Sequence, residues 1–152
     1  MKKSILFLVL LVLAASALAV TVDDQIAMIR QLAATERQAI VTANMNLAEA
    51  ESSKFWPLYR EYREAMTQLG DRKIALIKDY GDHYQQMTDA KARDIIEESF
   101  EIEGEKLQIR QRYARKFRKI LPEIKVARLL QIENKVDAVY TLQLSTEIPL
   151  FK

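Results

Sequence analysis

The chain has 152 residues, with 23 Lys and Arg against 21 Asp and Glu, one histidine, three glycines and no cysteine. The absence of cysteine excludes thiol nucleophiles, thiolate metal sites and disulfides, so the fold has to be held by packing alone. Three glycines are too few for a phosphate-cradling loop, and the single histidine has no nucleophile motif near it. We therefore expect a protein that is not an enzyme and carries no cofactor.

The first 19 residues have the pattern of a secretory signal peptide. A basic start precedes an apolar run over 5–20, and Ala17 and Ala19 form a cleavage site. The alternative is an anchoring membrane helix, but the run is shorter than the ~20 residues that a span usually needs. We expect cleavage near Ala19, a periplasmic location and a single helical domain over 20–152 that has no membrane span. Loss of two lysines leaves 21 basic and 21 acidic residues, and this neutral balance predicts no nucleic-acid partner.

The mature chain is predicted to be helical almost throughout, because proline and glycine are rare and apolar residues recur every three or four positions. The first helix is expected over 23–42. Its apolar side consists of Ile26, Ile29, Ala33 and Ile40. The second helix is expected to begin near Leu47, with Asn46 as its N-cap and Glu49 as the reciprocal carboxylate of a capping box.

A long apolar line identifies the second helix. Its members are Phe55, Leu58, Tyr59, Tyr62, Met66, Leu69, Leu76, Tyr80 and Tyr84. The line continues past Gly70, which predicts one helix that ends near Gly81 and Asp82. Pro57 removes a backbone hydrogen bond, so it either kinks this helix or starts a new one after a short first piece. Both alternatives predict a bend.

Two further helices complete the predicted fold. Thr88 is the expected N-cap of the third helix, and Gly104 on its apolar line predicts close approach of another helix. The residues expected to point inward are Ile96, Phe100, Leu107, Ala114, Phe117 and Leu121. Pro122 suits the first position of the fourth helix, and residues 145–152 should be extended. The predicted fold class is all-α, with four helices around a long, curved antiparallel helical hairpin.

Two helix starts resemble the Leu-Thr-x-x-Gln motif of the Spy/CpxP family of periplasmic proteins. They are the segments LAEAE at 47–51 and MTDAK at 87–91, where Ala48, Glu51, Met87 and Lys91 replace the family's residues. The layout over 20–152, helical and without cysteine behind a signal peptide, is also similar to that family. The resemblance implies a curved hairpin dimer that holds unfolded clients without ATP. It equally implies an envelope-stress accessory, whose partner is an envelope protein such as a sensor kinase.

A client or partner surface is predicted at Trp56, Tyr59, Arg60 and Arg63. Trp56 points about 100° away from the apolar line of its helix, so we expect it to be exposed. Aromatic side chains provide a large contact area at little entropic cost, and the two arginines supply neighbouring charge. The alternative is that the aromatic residues around Trp56 are ordinary hairpin core.

The charges of the third helix are sorted by sign. All charged residues over 94–105 are acidic, whereas all those over 106–119 are basic. Only part of this sorting follows from the helix macrodipole, whose effect is confined to the terminal turns. Two antiparallel copies would bring opposite charges together, which predicts a homodimer. Its predicted interface consists of Glu97, Glu101, Arg112, Arg115, Lys116 and Lys119. The alternative is a solvated monomer surface.

One alternative function is a metal-binding sensor or metal-resistance accessory. Asp79, Asp82 and His83 lie within one turn of the second helix. A single histidine with carboxylates is a small ligand set for a transition metal, so no metal ligand is assigned. His83 is instead expected to be a loop residue at the tip of the hairpin.

Overall fold

The computed structural model describes the backbone of residues 35–147 and the side chains of residues 35–142. The chain divides into two units, Met1–Glu36 and Arg37–Lys152, and nearly all the described residues belong to the second. The predicted signal peptide, the beginning of the first helix and the chain after residue 147 lie outside the described residues.

The described chain is helical, which confirms the all-α class. Helix α1 covers residues 35–45, α2 Glu49–His83, a 3-10 turn Tyr84–Gln86, α3 Asp89–Phe117 and α4 Glu123–Glu147. No strand occurs between residues 35 and 147. None of the helices in this stretch has the length and apolar character needed to cross a membrane.

The junction between α1 and α2 differs from the prediction. Asn46 has a φ of 47°, the left-handed conformation that commonly ends a helix and that asparagine tolerates well. Asn46 therefore ends α1 and does not cap α2. The N-cap of α2 is Ala48, and its N–H donates to the carboxylate of Glu51 at 2.8 Å, so Glu51 takes the role predicted for Glu49.

Helices α2 and α3 form the predicted antiparallel hairpin. The end of α2 contacts the beginning of α3, where Asp79 forms an ion pair with Lys91 at 2.6 Å. The first half of α2 contacts the end of α3, where Glu61 forms an ion pair with Lys116 at 3.1 Å. Thr88 caps α3 as predicted, because its hydroxyl accepts a hydrogen bond from the N–H of Lys91. Helix α2 is continuous through Pro57, so of the two alternatives for that residue a new helix is wrong, and a kink stays a prediction. The predicted curvature stays a prediction.

One hydrophobic core joins all four helices. Its buried members are Val41, Met45, Phe55, Tyr59, Tyr62, Tyr113, Ala114, Phe117, Leu121, Val126 and Leu129. Phe55 stacks on Tyr59 at 5.4 Å between ring centroids and lies 5.5 Å from Phe117 of α3. The aromatic line of α2 is thus mainly core. In α1, Val41 and Met45 face this core, whereas Ile40, which the sequence analysis placed on the apolar side, is exposed.

The inward face of α3 was predicted correctly only in its second half. Ala114 and Phe117 are buried, as is Leu121 after the helix, but Ile96, Phe100 and Leu107 are exposed. These three lie on the side of α3 opposite Ile102, which is buried against the hairpin. Two apolar lines therefore run along α3. Helix α2 covers the line that contains Ile102 and leaves the line of Ile96, Phe100 and Leu107 exposed. A Cβ added at Gly104 would meet nothing within 4 Å, so the predicted close approach of another helix is wrong within the described chain.

Helix α4 begins one residue later than predicted. Pro122 precedes it, and the Pro122 carbonyl accepts hydrogen bonds from the N–H groups of Lys125 and Val126. The helix continues to Glu147, so residues 145–147 are helical and not extended. The buried side of α4 contains Val126, Leu129, Glu133 and Val136, spaced by three and four residues.

Candidate functional site

A buried carboxylate lies where α1, α2 and α4 meet. Glu133 of α4 is only 1% exposed. Its Oε2 atom accepts hydrogen bonds from Arg37 and from Arg63, each at 2.9 Å, and its Oε1 atom accepts one from the Tyr59 hydroxyl at 2.7 Å. A charge without partners at this position would be costly, and three donors from two other helices supply the compensation.

Asp137, one turn further along α4, extends this cluster to α3. Its carboxylate pairs with Arg37 at 2.9 Å and with Lys106 at 3.2 Å. Burial favours the neutral acid, but the two cations outweigh burial and hold the pKa of Asp137 below its usual value. Burial likewise opposes the charge of Arg37, and the carboxylates of Glu133 and Asp137 outweigh it, so the pKa of Arg37 is raised.

The two tyrosines beside Glu133 are held in the neutral form. Burial, reinforced by the nearby Glu133 carboxylate, raises the pKa of Tyr62 to about 12 and that of Tyr59 further. Among the described residues, every buried side-chain nitrogen and oxygen has a hydrogen-bond partner. The Glu133 cluster (Arg37, Tyr59, Arg63, Lys106, Glu133 and Asp137) therefore binds the four helices to one another, and its polar groups are occupied in doing so.

The four residues predicted as a client surface do not form one surface. Tyr59 is buried, and Arg63 is half-buried against Glu133, so both belong to the Glu133 cluster. Trp56 was expected to be exposed but is half-buried, with its ring edge-on to Phe55 at 5.0 Å and to Tyr59 at 5.7 Å. Arg60 is the one member of the four that is exposed.

The six residues predicted at a dimer interface are all exposed, but some have partners within the chain. Glu101 pairs with Arg72 of α2 at 3.5 Å, and Lys116 pairs with Glu61 at 3.1 Å. Arg72 also binds Glu98 and Glu105, so the acidic half of α3 is partly neutralised by α2. The remaining four, Glu97, Arg112, Arg115 and Lys119, make no ion pair with any described residue.

The exposed side of α4 combines apolar and basic groups. We call it the α4 outer face, and its members are Ile124, Arg128, Gln131, Lys135, Val139 and Leu142, spaced by three or four residues. The exposed fractions of its large apolar residues are 71% for Ile124, 57% for Val139 and 67% for Leu142. Arg128 and Lys135 lie between them and make no ion pair with a described residue. No acidic residue occurs among these six.

A second surface feature is an open groove between α3 and α4. The α3–α4 groove has a volume of about 410 Å³ and is lined by Leu107, Arg110, Gln111, Ala114, Arg115, Arg118 and Leu130. Leu107, Ala114 and Leu130 give it apolar walls, and three arginines lie along its edges. Arg110 bonds to Asn134 and Arg118 to Glu123, whereas Arg115 is exposed to solvent.

The residues weighed as metal ligands have another arrangement. His83 ends α2 and does not lie in a loop, and its Nδ1 is 2.8 Å from the Asp79 carbonyl oxygen and 3.2 Å from that residue's carboxylate. The same carboxylate pairs with Lys91. Asp82 is exposed. Between residues 35 and 142, no three His, Cys, Asp or Glu side chains are grouped closely enough to hold a metal ion.

Sequence reasoning missed Glu133, Asp137 and Arg37 as a cluster. A signal was present for Glu133, because it lies on the same three-and-four spacing as the buried residues Val126, Leu129 and Val136. Its partner Arg37 is 96 residues away in the chain, and no local pattern connects the two. The α4 outer face could have been predicted by identifying the buried line of α4 first and then listing the residues on the opposite side of the helix.

Comparison of the chain with protein-family models, with curated proteins and with solved structures finds no match.

Proposed function

We propose that this protein is a periplasmic binding protein without catalytic activity, which holds unfolded envelope proteins without ATP through the α4 outer face. The observation that carries the proposal is the exposure of Ile124, Val139 and Leu142 around the unpaired charges of Arg128 and Lys135. Large apolar side chains grouped on one helix face are typical of interaction sites.

The chemistry of this face suits an unfolded chain better than a compact ligand. Unfolded proteins expose apolar side chains at irregular spacing, so a receptor needs several separate apolar contacts and no enclosed pocket. Ile124 and Leu142 are 18 positions apart on α4, a distance of roughly 27 Å at the helical rise, so the face can contact an extended segment of many residues. Arg128 and Lys135 attract acidic groups near those segments and speed the encounter.

The resemblance to the Spy/CpxP family supports the same proposal. The two segments that carry it, 47–51 and 87–91, are the places where α2 and α3 begin, and both form capping interactions. A role as a stress accessory that binds a sensor kinase would use the same exposed face with a folded partner. The two roles differ in what binds, so the state of the partner distinguishes them.

The test is an aggregation assay in which mature protein is added, without ATP, to a chemically denatured model client. We expect suppression by the wild type and a loss of most of it in the double variant Val139→Ser with Leu142→Ser. Both residues are exposed, so the melting temperature should change little. Ile40→Ser is the matched control, because Ile40 is also an exposed apolar residue but lies on α1.

The assay also separates the holding role from the accessory role. Absence of suppression by the wild type at a several-fold molar excess would exclude holding. Equal suppression by the wild type and the double variant would exclude the α4 outer face as the binding surface.

A further inference from the structure

Helix α3 leaves one of its apolar lines exposed. We call it the α3 seam, and it consists of Ile96, Phe100, Gly104 and Leu107, spaced by four, four and three residues on the side away from Ile102. Phe100 is 69% exposed, whereas every other Phe, Tyr and Trp side chain between residues 35 and 142 is buried or half-buried. The space over Gly104 is open, so a neighbouring helix could approach the backbone closely there.

The seam leads directly into the α3–α4 groove, because Leu107 belongs to both. Apolar walls with arginines along the edges fit an apolar side chain that is flanked by carboxylates. Phe100 is such a side chain, because Glu97 lies one turn before it on α3 and makes no ion pair with a described residue, whereas the nearby Glu101 and Glu103 pair with Arg72 and Lys73 of α2. The chain therefore carries both a basic, apolar groove and an acidic segment with an exposed aromatic residue.

Phe100 cannot reach the groove of its own copy, because Phe100 and Gln111 are 11 positions apart on α3, a distance of roughly 16 Å along the helix. Two antiparallel copies of α3 can join them. We take the register in which Leu107 of each copy lies over Gly104 of the other. Residues that face each other then have numbers that add to about 211, which places Phe100 beside Gln111, one of the residues that line the groove. The same register brings Glu97 next to Arg115, and the two-fold axis makes each contact twice.

We infer that the α3–α4 groove is the receptor for the Phe100 segment of a second copy of this chain. Each copy inserts one Phe100 and receives one, so the assembly closes as a dimer. This assigns a specific anchor and register to the dimer that the charge sorting of α3 predicts, and it is independent of client binding by the α4 outer face.

Sedimentation equilibrium on the mature protein at low salt tests the anchor. We expect a dimer for the wild type. For Phe100→Ser we expect a dissociation constant that is larger by roughly 30-fold or more, which is the effect of losing a central aromatic anchor. Ile124→Ser, which also removes an exposed apolar side chain, should leave the dimer intact. A monomeric wild type, or equal dissociation constants for the wild type and Phe100→Ser, would overturn the inference.

Charge exchange tests the register. Glu97→Arg and Arg115→Glu should each weaken the dimer, because each brings like charges together at two equivalent places. The combined variant should recover most of the wild-type affinity, because the pair is restored with its signs exchanged. Failure of the combined variant to dimerise more tightly than either single variant would contradict this register. Circular dichroism checks that every variant is folded.

Discussion

The carboxylate of Glu133 accepts hydrogen bonds from two arginines and one tyrosine that belong to α1 and α2. Its place on the buried side of α4 brings three polar groups into the core, and every one of them finds a partner. A buried charge of this kind is not necessarily a large net source of stability, but its removal leaves the partner charges uncompensated. Glu133 of α4 is therefore bonded to both α1 and α2 inside the core.

We predict that Glu133→Ala lowers the free energy of unfolding by about 3–5 kcal/mol, because Arg37 and Arg63 lose their shared carboxylate. Urea unfolding followed by the fluorescence of Trp56, the only tryptophan, measures this change. Glu61→Ala is the control, because it breaks the exposed ion pair between Glu61 of α2 and Lys116 of α3 and should cost under ~1 kcal/mol. Similar losses for the two variants would show that the Glu133 cluster does not hold the helices together.

We predict that stability falls as the pH drops below about 5, partly through Asp137. Its pKa is lowered in the folded protein by Arg37 and Lys106. A group with a depressed folded pKa contributes stability that is present above its unfolded pKa, about 3.9 for aspartate, and lost as the pH falls toward its folded pKa. Thermal melts of Asp137→Asn between pH 7 and pH 3 should show lower stability at pH 7 and a flatter decline. An unchanged slope would contradict this assignment.

At the scale of single elements, the start of α3 and the extent of α2 were predictable from local signals. Thr88 caps α3 because its hydroxyl can reach an N–H three residues on, and this depends only on neighbouring residues. Which side of α3 is buried could not be predicted from local signals. It has two apolar lines, and the choice between them depends on where α2 and α4 pack, as the burial of Ile102 and the exposure of Phe100 show.

Trp56 is half-buried, and the prediction that it would be exposed is wrong because it considered one helix alone. Its angular offset from the apolar line predicted exposure, but large aromatic rings extend far enough to contact residues on the adjacent face. Trp56 lies edge-on to Phe55 and Tyr59, so part of its ring is core. The angular position of a residue on one helix therefore does not show that the residue is exposed. The packing of the neighbouring helices has to be known as well.

We predict that Gly70→Ala stabilises the protein by about 0.5–1 kcal/mol. Gly70 lies within α2, where glycine is unfavourable relative to alanine, and a Cβ there would meet nothing within 4 Å. Differential scanning calorimetry should show a melting temperature a few degrees higher than that of the wild type. Gly81→Ala, near the end of α2 and equally open, should have a smaller effect. A melting temperature below that of the wild type would indicate a neighbour at Gly70 that the described residues do not include.

At the scale of the whole molecule, periodicity alone was enough to predict an all-α hairpin protein. The scarcity of proline and glycine left few places for the chain to turn, and the turns fall near Asn46, residues 84–88 and Pro122. The proposed interaction surfaces were not predictable in the same way. The α4 outer face and the α3–α4 groove are what remains exposed after four helices have packed, and Arg37 and Glu133 show how far apart in sequence the packing partners are.

The most direct test of the proposed holding function is site-specific photo-crosslinking to an unfolded client. Benzoylphenylalanine placed at Val139 on the α4 outer face should crosslink to a denatured client without ATP and should not crosslink to the same client in its native state. The same group placed at Ala39, an exposed position on α1, should give little product. No client adduct at Val139 from a protein that suppresses aggregation, or equal yields at Val139 and Ala39, would contradict the account.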